Sequence, residues 1–203
     1  MMNIKETNRD FWERQHRKEV LSTLSGCSYE ETITGLWVTN RITPSSKILE
    51  VGIGIGHTIR GLSEVCKVSA LDISKLALKK VEGYCEFTYT LEQIESMPTA
   101  YFDIILCVNV VQHIPTELLK EELAQFIRSL KIGGIFAVQF VTPKVKKRDI
   151  VMYTISEQGY GRSLPFMISL LESYGTDVKV VSIGHSGVGP IEKSVVVHAE
   201  RVR

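Results

Sequence analysis

Neither sign of charge dominates this chain: 24 lysines and arginines stand against 23 aspartates and glutamates, for a formal net charge of +1. No global field draws it to nucleic acid or to an anionic membrane, and neither partner is expected from composition. No apolar run approaches the roughly 18–20 residues needed to span a bilayer. The opening stretch MMNIKETNRDFWERQHRK is charged throughout and has no apolar core, so a secretory signal is not expected and a cytoplasmic location is. Cysteine is scarce. Cys27, Cys66, Cys85 and Cys107 lie far apart with no C-x-x-C pair, and three of them sit in apolar segments, which argues against zinc or disulfides and for reduced, buried thiols. Repeats and low-complexity segments are lacking too. The one charge run, Lys144-Val145-Lys146-Lys147-Arg148, reads as a solvated loop.

What remains is an ordinary globular composition, with 44% hydrophobic and 23% charged residues over 203 positions, enough for one domain. From residue 47 onward, seven β-branched runs alternate with helical patterns: KILEV, KVSALD, EFTY, FDIILCV, IFAVQFV, DVKVVSI and SVVVHA. Such alternation predicts an α/β fold, with parallel strands and crossover helices on both faces of a seven-stranded sheet. Ile59, Leu62 and Cys66 share one predicted helix face. Leu119, Leu123, Phe126 and Leu130 share another, behind Thr116 as N-cap, and Leu164, Met167, Leu171 and Tyr174 a third, before a stop at Gly175. Only GHSGVGPIEK separates the last two runs, too short for a helical crossover, so the sheet is expected to end in an antiparallel hairpin. Residues 1–45 predict two helices, near Phe11–Leu24 and Tyr29–Asn40, that cap a core over 46–142. Residues 143–203 form a substrate-side segment and the hairpin.

The first strand run leads straight into Gly52, Gly54 and Gly56, and a helix pattern follows. Glycines allow a sharp turn and close approach of backbone to ligand, so a nucleoside-bearing ligand is expected there. Asp72 ends the second run, 20 residues beyond Gly52, where a carboxylate can accept hydrogen bonds from ribose hydroxyls. The competing role for Asp72, capping the next helix, is open equally to Ser74.

The motif E-V-G-I-G-I-G, Glu50 to Gly56, followed by S-A-L-D-I-S, resembles the cofactor-binding motifs of class I S-adenosylmethionine (SAM)-dependent methyltransferases of small-molecule type. The resemblance covers nearly the whole chain. A nicotinamide fingerprint, G-x-G-x-x-G, would need glycine at position 57, which is His57. The resemblance implies a Rossmann-like, doubly wound sheet and SAM as cofactor. It implies that Glu50 lies near the methionine ammonium, that Gly52, Ile53, Gly54 and Gly56 form the turn, and that Asp72 and Ile73 meet the ribose. The segment LEQIESMP resembles the adenine-contacting stretch, with Gln93 where the family often has aspartate and the Ile94 N–H beside it.

The fourth run, FDIILCVNVVQHIP, resembles the family's next motif, and it lacks the D/N-P-P-Y/F sequence of enzymes that methylate exocyclic base amines. Where some quinone-precursor O-methyltransferases carry Glu-x-x-Glu-His, this chain has Asn109-Val110-Val111-Gln112-His113. Amides replace poorly for carboxylate ligands, so no catalytic metal is expected. Methyl transfer from a sulfonium needs chiefly alignment of the nucleophile, and positioning alone can supply about 7–11 kcal/mol. A base serves where the nucleophile arrives protonated. His113 can act so, since an imidazole with a pKa of roughly 6.5 accepts protons at neutral pH, or it can simply bond the following turn. Asn109 is expected to line the methionine side or to orient His113.

Trp12 and His16 share a helix face, and the family's N-terminal helices close over the cofactor. Trp12 is therefore a candidate lid over the cationic donor, with core anchoring as its competing role. Arg9, Arg14 and Arg17 are candidates for the cofactor carboxylate. Arg162, in the stretch 149–162 with Tyr153 and Tyr160, can clamp a substrate carboxylate but is read as facing solvent. The functional expectation is methyl transfer to an O or N atom of a small molecule, by a monomer or homodimer. Three alternatives remain: a catalytically silent SAM or S-adenosylhomocysteine (SAH) binder, an RNA or protein methyltransferase, and a nicotinamide-dependent oxidoreductase.

Overall fold

A computed structural model describes residues 4–17, 29–143, 150–153, 159–185 and 191–203. It divides into two compact units, Met1–Met97 and Pro98–Arg203. The run 144–148 lies outside the described residues.

In the first unit, α1 (Ile4–Arg17) and α2 (Tyr29–Gly35) precede three short parallel strands, β1 (Lys47–Val51), β2 (Lys67–Leu71) and β3 (Phe87–Tyr89). β2 pairs with both neighbours, Lys47 opposite Lys67 through Val51 opposite Leu71 on one side and Ser69 opposite Phe87 on the other. Ile48, Leu49, Val51, Val68, Ala70 and Leu71 are all buried, as continuous apolar runs require of strands covered on both faces. The connections are α3 (His57–Ser63), burying Thr58, Ile59 and Leu62, and α4 (Lys75–Val81), burying Ala77, Leu78 and Val81. Cys66, expected on the face of α3, falls past its end and is only half-buried. The helix expected over 29–40 stops at Gly35, because Trp37 takes a left-handed φ of 58° and the chain resumes as a 3-10 turn over Thr39–Arg41. α1 begins at Ile4, seven residues before its expected start. Its expected end, 18–24, lies outside the described residues.

The second unit carries β4 (Phe102–Cys107), α5 (Thr116–Ser129), β5 (Leu130–Pro143), β6 (Ile150–Tyr153), β7 (Gly159–Arg162), α6 (Leu164–Glu172), β8 (Thr176–His185) and β9 (Ile191–Arg201). β4 and β5 are parallel. Their register jumps, Phe102 facing Leu130 but Ile104 facing Ile135, because residues 131–134 bulge out around Gly133 at φ 76°. β9 lies antiparallel between β5 and β8. The expected terminal hairpin is present, and its link is tighter than read, since pairing continues to His185 opposite Lys193. Leu119, Leu123 and Phe126 are fully buried on α5, as their spacing predicted, whereas Leu130, expected on the same helix face, is buried as the first residue of β5. Thr116 starts α5, but its hydroxyl makes no cap and instead accepts from Arg162. α6 is capped by Ser163 and is followed by Gly175 at φ 80°. An element not foreseen is a separate two-stranded ribbon, β6 with β7, within the stretch read as the substrate-side segment.

The seven strands of the main sheet follow the order β3-β2-β1-β4-β5-β9-β8, the mixed, mostly parallel α/β sheet expected. Among the described residues, no helix is long and apolar enough to cross a membrane.

Gly56 shows why the turn after β1 is built from glycine. It sits at φ 79°, and a Cβ there would lie 2.3 Å from the Val81 Cγ1 methyl of α4. Gly56→Ala combines a left-handed penalty of about 1–2 kcal/mol with overpacking of about 1–3 kcal/mol. A loss of about 2–5 kcal/mol in urea unfolding is expected, and a variant as stable as wild type would refute the close-packing account.

Candidate functional site

The glycine turn is the centre of the first unit's polar interior. Gly52, Gly54 and Gly56 have φ values of 71°, 55° and 79°, so three residues of one short turn adopt conformations that side chains disfavour. β1 delivers Glu50 just before the turn. The residue is only 7% exposed, and its carboxylate accepts bonds from the Thr58 hydroxyl and the Ile59 N–H in the first turn of α3. Its Oε2 is buried with no hydrogen-bond partner. Burial pushes this carboxyl up to about 8, with the nearby charge of Asp72 adding to the effect and the two bonds opposing it.

Asp72 is buried at the end of β2 and acts as a strut. Its Oδ2 accepts the Ile53 N–H at 2.9 Å and its Oδ1 the Ser74 N–H at 2.8 Å, tying the glycine turn to the start of α4. Burial raises its carboxyl to about 6 against these bonds and one from the Gly54 N–H, and the charge of Glu13 raises it further. Ser74, not Asp72, caps α4, accepting from the Ala77 N–H at 3.2 Å. Ile73, between them, is half-buried. Glu50, Ile53, the glycines and Asp72 are thus brought together.

Gln93 has a different local duty. It lies in a 3-10 turn over Leu91–Ser96, where its Oε1 accepts the Thr90 N–H at 2.9 Å and completes a capping box with Thr90. Ile94, in the same turn, is half-buried. This turn is tied to α1, because Arg9 pairs with Glu92 at 2.9 Å. Arg9 is therefore engaged by a carboxylate of its own unit, whereas Arg14 and Arg17 are exposed. Trp12 packs edge-on against Phe11, with ring centroids 5.1 Å apart. His16 is buried, its Nδ1 has no partner, and burial, aided by the charge of Lys80, lowers its pKa.

Sequence reasoning missed Thr58, the hydroxyl that holds Glu50, and Glu13, whose Oε1 accepts the Lys75 N–H at 2.8 Å. The only signal for Thr58 was its place one residue inside the helix after the turn.

Asn109 and His113 belong to the second unit, in the loop after β4. Asn109 adopts a left-handed φ of 57°, a conformation asparagine tolerates. Its N–H donates to Gln139 Oε1 at 2.9 Å, and its Oδ1 accepts from Gln112 Nε2 at 3.3 Å. His113 ends a 3-10 turn over Val111–His113 and is half-buried. Arg162 corrects an expectation: it is 1% exposed rather than solvated, and its guanidinium donates to the carbonyls of Val111 and Ile114 and to Thr116 Oγ1. Three backbone and side-chain acceptors make burial of that charge tolerable.

Residues 48–134 match the model of a methyltransferase domain family. The fold is similar to that of the 1,6-didemethyltoxoflavin N1-methyltransferase of Burkholderia thailandensis, solved with 1,6-didemethyltoxoflavin and SAH. Identity there is 14% over 95% of this chain and 87% of that one, with a TM-score of 0.71. It is similar also to magnesium protoporphyrin IX methyltransferase of Synechocystis PCC 6803, solved with bound SAM, at 13% identity over 98% of each chain and a TM-score of 0.64. A third likeness, to the CurJ carbon methyltransferase, has 20% identity over 78% of this chain and 49% of that one, with a TM-score of 0.54. At such identities the likeness concerns the fold. No curated protein matches the sequence. The family match, to a methyltransferase domain, lies over the turn, Asp72 and β4.

Proposed function

We propose that this protein transfers a methyl group from SAM to an O or N atom of a small-molecule acceptor. The observation that carries the reading is the buried, partnerless Oε2 of Glu50 beside a turn of three positive-φ glycines. A buried carboxylate oxygen without a donor is costly, and a cationic ligand removes that cost. SAM carries an ammonium and a sulfonium but no phosphate, which suits an acid at the turn better than a pyrophosphate would. In this reading Glu50 takes the ammonium, the backbone at Gly52–Gly56 approaches the methionine portion, and Asp72 with Ile73 holds the ribose. Ile94 N–H and the amide of Gln93 meet the adenine, and Trp12 covers the cofactor.

When bound, the cofactor supplies an electrophilic methyl on sulfur. The protein's part is to align an acceptor with the breaking bond and to receive the acceptor's proton. His113 is the proposed base, and Asn109, fixed by Gln139 and Gln112, lines the approach. The toxoflavin-precursor and porphyrin enzymes of similar fold support a small organic acceptor, and the near-neutral net charge gives no reason to prefer nucleic acid.

Calorimetry with SAM, SAH and NAD tests the reading. SAM and SAH are expected to bind and NAD not to, and Asp72→Ala is expected to weaken SAH binding by at least about tenfold, the loss of one charge-assisted bond. Binding of NAD without SAM would end it.

A further inference from the structure

α1 brings a carboxylate to the cofactor site that neither the glycine motif nor the strand ends supply. Glu13 Oε1 accepts the Lys75 N–H at 2.8 Å, while Asp72 Oδ1 accepts the N–H of the preceding residue, Ser74, at 2.8 Å. Two carboxylates docked on consecutive backbone amides stand side by side, and the charge of Glu13 is felt at Asp72. Each has made only part of its bonds. Glu13 Oε2 is buried and has no hydrogen-bond partner, and Glu50 Oε2, on a residue 7% exposed that feels the charge of Asp72, is in the same condition. Adjacent acids of like charge, with orphaned acceptors, call for a ligand that presents several donors close together. A metal ion would be one answer, but among the described residues no group of three or more histidine, cysteine or acidic side chains has the arrangement to hold one.

Resting on the SAM reading above, we propose that Glu13 is a second ribose ligand: Asp72 and Glu13 each accept one hydroxyl of the cofactor's cis-diol. A vicinal diol offers two O–H donors at the spacing of neighbouring carboxylates. Each oxygen of Glu13 then has its own partner, Oε1 the Lys75 N–H and Oε2 a hydroxyl. The N-terminal helix is thereby held to the nucleoside by a bond that the ligand completes, in addition to its ion pair from Arg9 to Glu92. Glu13 contributes to affinity and to discrimination against deoxynucleosides rather than to methyl transfer.

The test uses the full chain, SAH, and its 2′-deoxy and 3′-deoxy analogues in calorimetry. Glu13→Gln keeps an oxygen for the Lys75 N–H and replaces the orphaned acceptor with a donor, so its melting temperature should stay close to that of wild type. It is expected to weaken SAH binding by about 10- to 100-fold, the range of a hydrogen bond to a charged group. One of the two deoxy analogues should bind it as it binds wild type, so that the penalty for that missing hydroxyl disappears. Wild-type affinity for SAH in Glu13→Gln would overturn the proposal. So would an equal loss for SAH and both analogues, which would mean that the residue only docks α1. Failure of the wild type to bind SAH at all would remove the cofactor reading, a result distinct from either of these.

Discussion

Glu50→Gln is expected to abolish SAM binding while raising the melting temperature of the ligand-free protein at pH 8 by about 5 °C. The two effects have one origin. Burial moves the Glu50 carboxyl from an ordinary 4.5 to about 8. The folded-state value stands above the unfolded one, so the native protein holds an extra proton between these values. Stability is therefore full below about pH 4.5 and declines as pH rises toward 8. At pH 8 the cost is on the order of 4 kcal/mol by the usual conversion. Glutamine escapes it but leaves an amide N–H₂ at the orphaned position, which returns about 1–3 kcal/mol. The remainder corresponds to a few degrees in a chain of this size. Thermal melts from pH 5 to 9 should cross, with the variant below wild type at the acid end, where Glu50 is protonated and only the amide penalty remains, and above it at pH 8. Binding follows the opposite logic: an ammonium needs the ionised carboxylate, so SAM binding to wild type at pH 7 should release close to one proton. Calorimetry in buffers of different ionisation enthalpy reads that proton directly. A variant that binds SAM normally, or melts below wild type at pH 8, would refute the assignment.

The turn and Asp72 were legible because strand, glycine turn, helix and second strand end follow one another within a short stretch, and each leaves a local pattern. The hairpin of β8 and β9 was legible for the complementary reason, a gap too short for a crossover. Gln93 was half-legible. Thr90-Leu91-Glu92-Gln93 is a capping-box pattern in its own right, and the structure confirms the bond, but the family resemblance drew attention to adenine instead. The β6–β7 ribbon left almost no signal, since its second strand, Gly159–Arg162, alternates glycine with polar-tipped residues. Gly161 earns its place by proximity: a Cβ there would come within 3.2 Å of the Pro143 nitrogen on β5. Glu13 and Arg162 were illegible in principle. Their partners lie 62 residues away in one case and 46 to 51 in the other, and an isolated charged residue looks the same whether it meets water or a buried carbonyl.

Arg162→Met should cost about 2–4 kcal/mol in denaturant unfolding, the scale set by leaving buried acceptors without their donor. Methionine fills much of the same volume and leaves no buried charge behind, so most of the loss must come from the acceptors. The carbonyls of Val111 and Ile114 lose their guanidinium donors, and both residues are buried. The Tyr160 ring, 5.3 Å from the guanidinium carbon, loses a cation–π contact as well. Arg162→Lys should recover only part, since one ammonium cannot reproduce a planar fork that reaches Val111, Ile114 and Thr116 together. The location of the damage matters more than its size. Arg162 sits on the ribbon, and its acceptors flank His113, so the ribbon fixes the loop that carries the proposed base. Hydrogen exchange should therefore speed up selectively at the amide of His113, which bonds to Val110 within that loop, and at that of Leu119, which bonds to Pro115 at the start of α5. Loss of stability with unchanged exchange there would assign Arg162 to core filling alone. A local gain in exchange would make the ribbon the support on which the geometry of the loop after β4 depends.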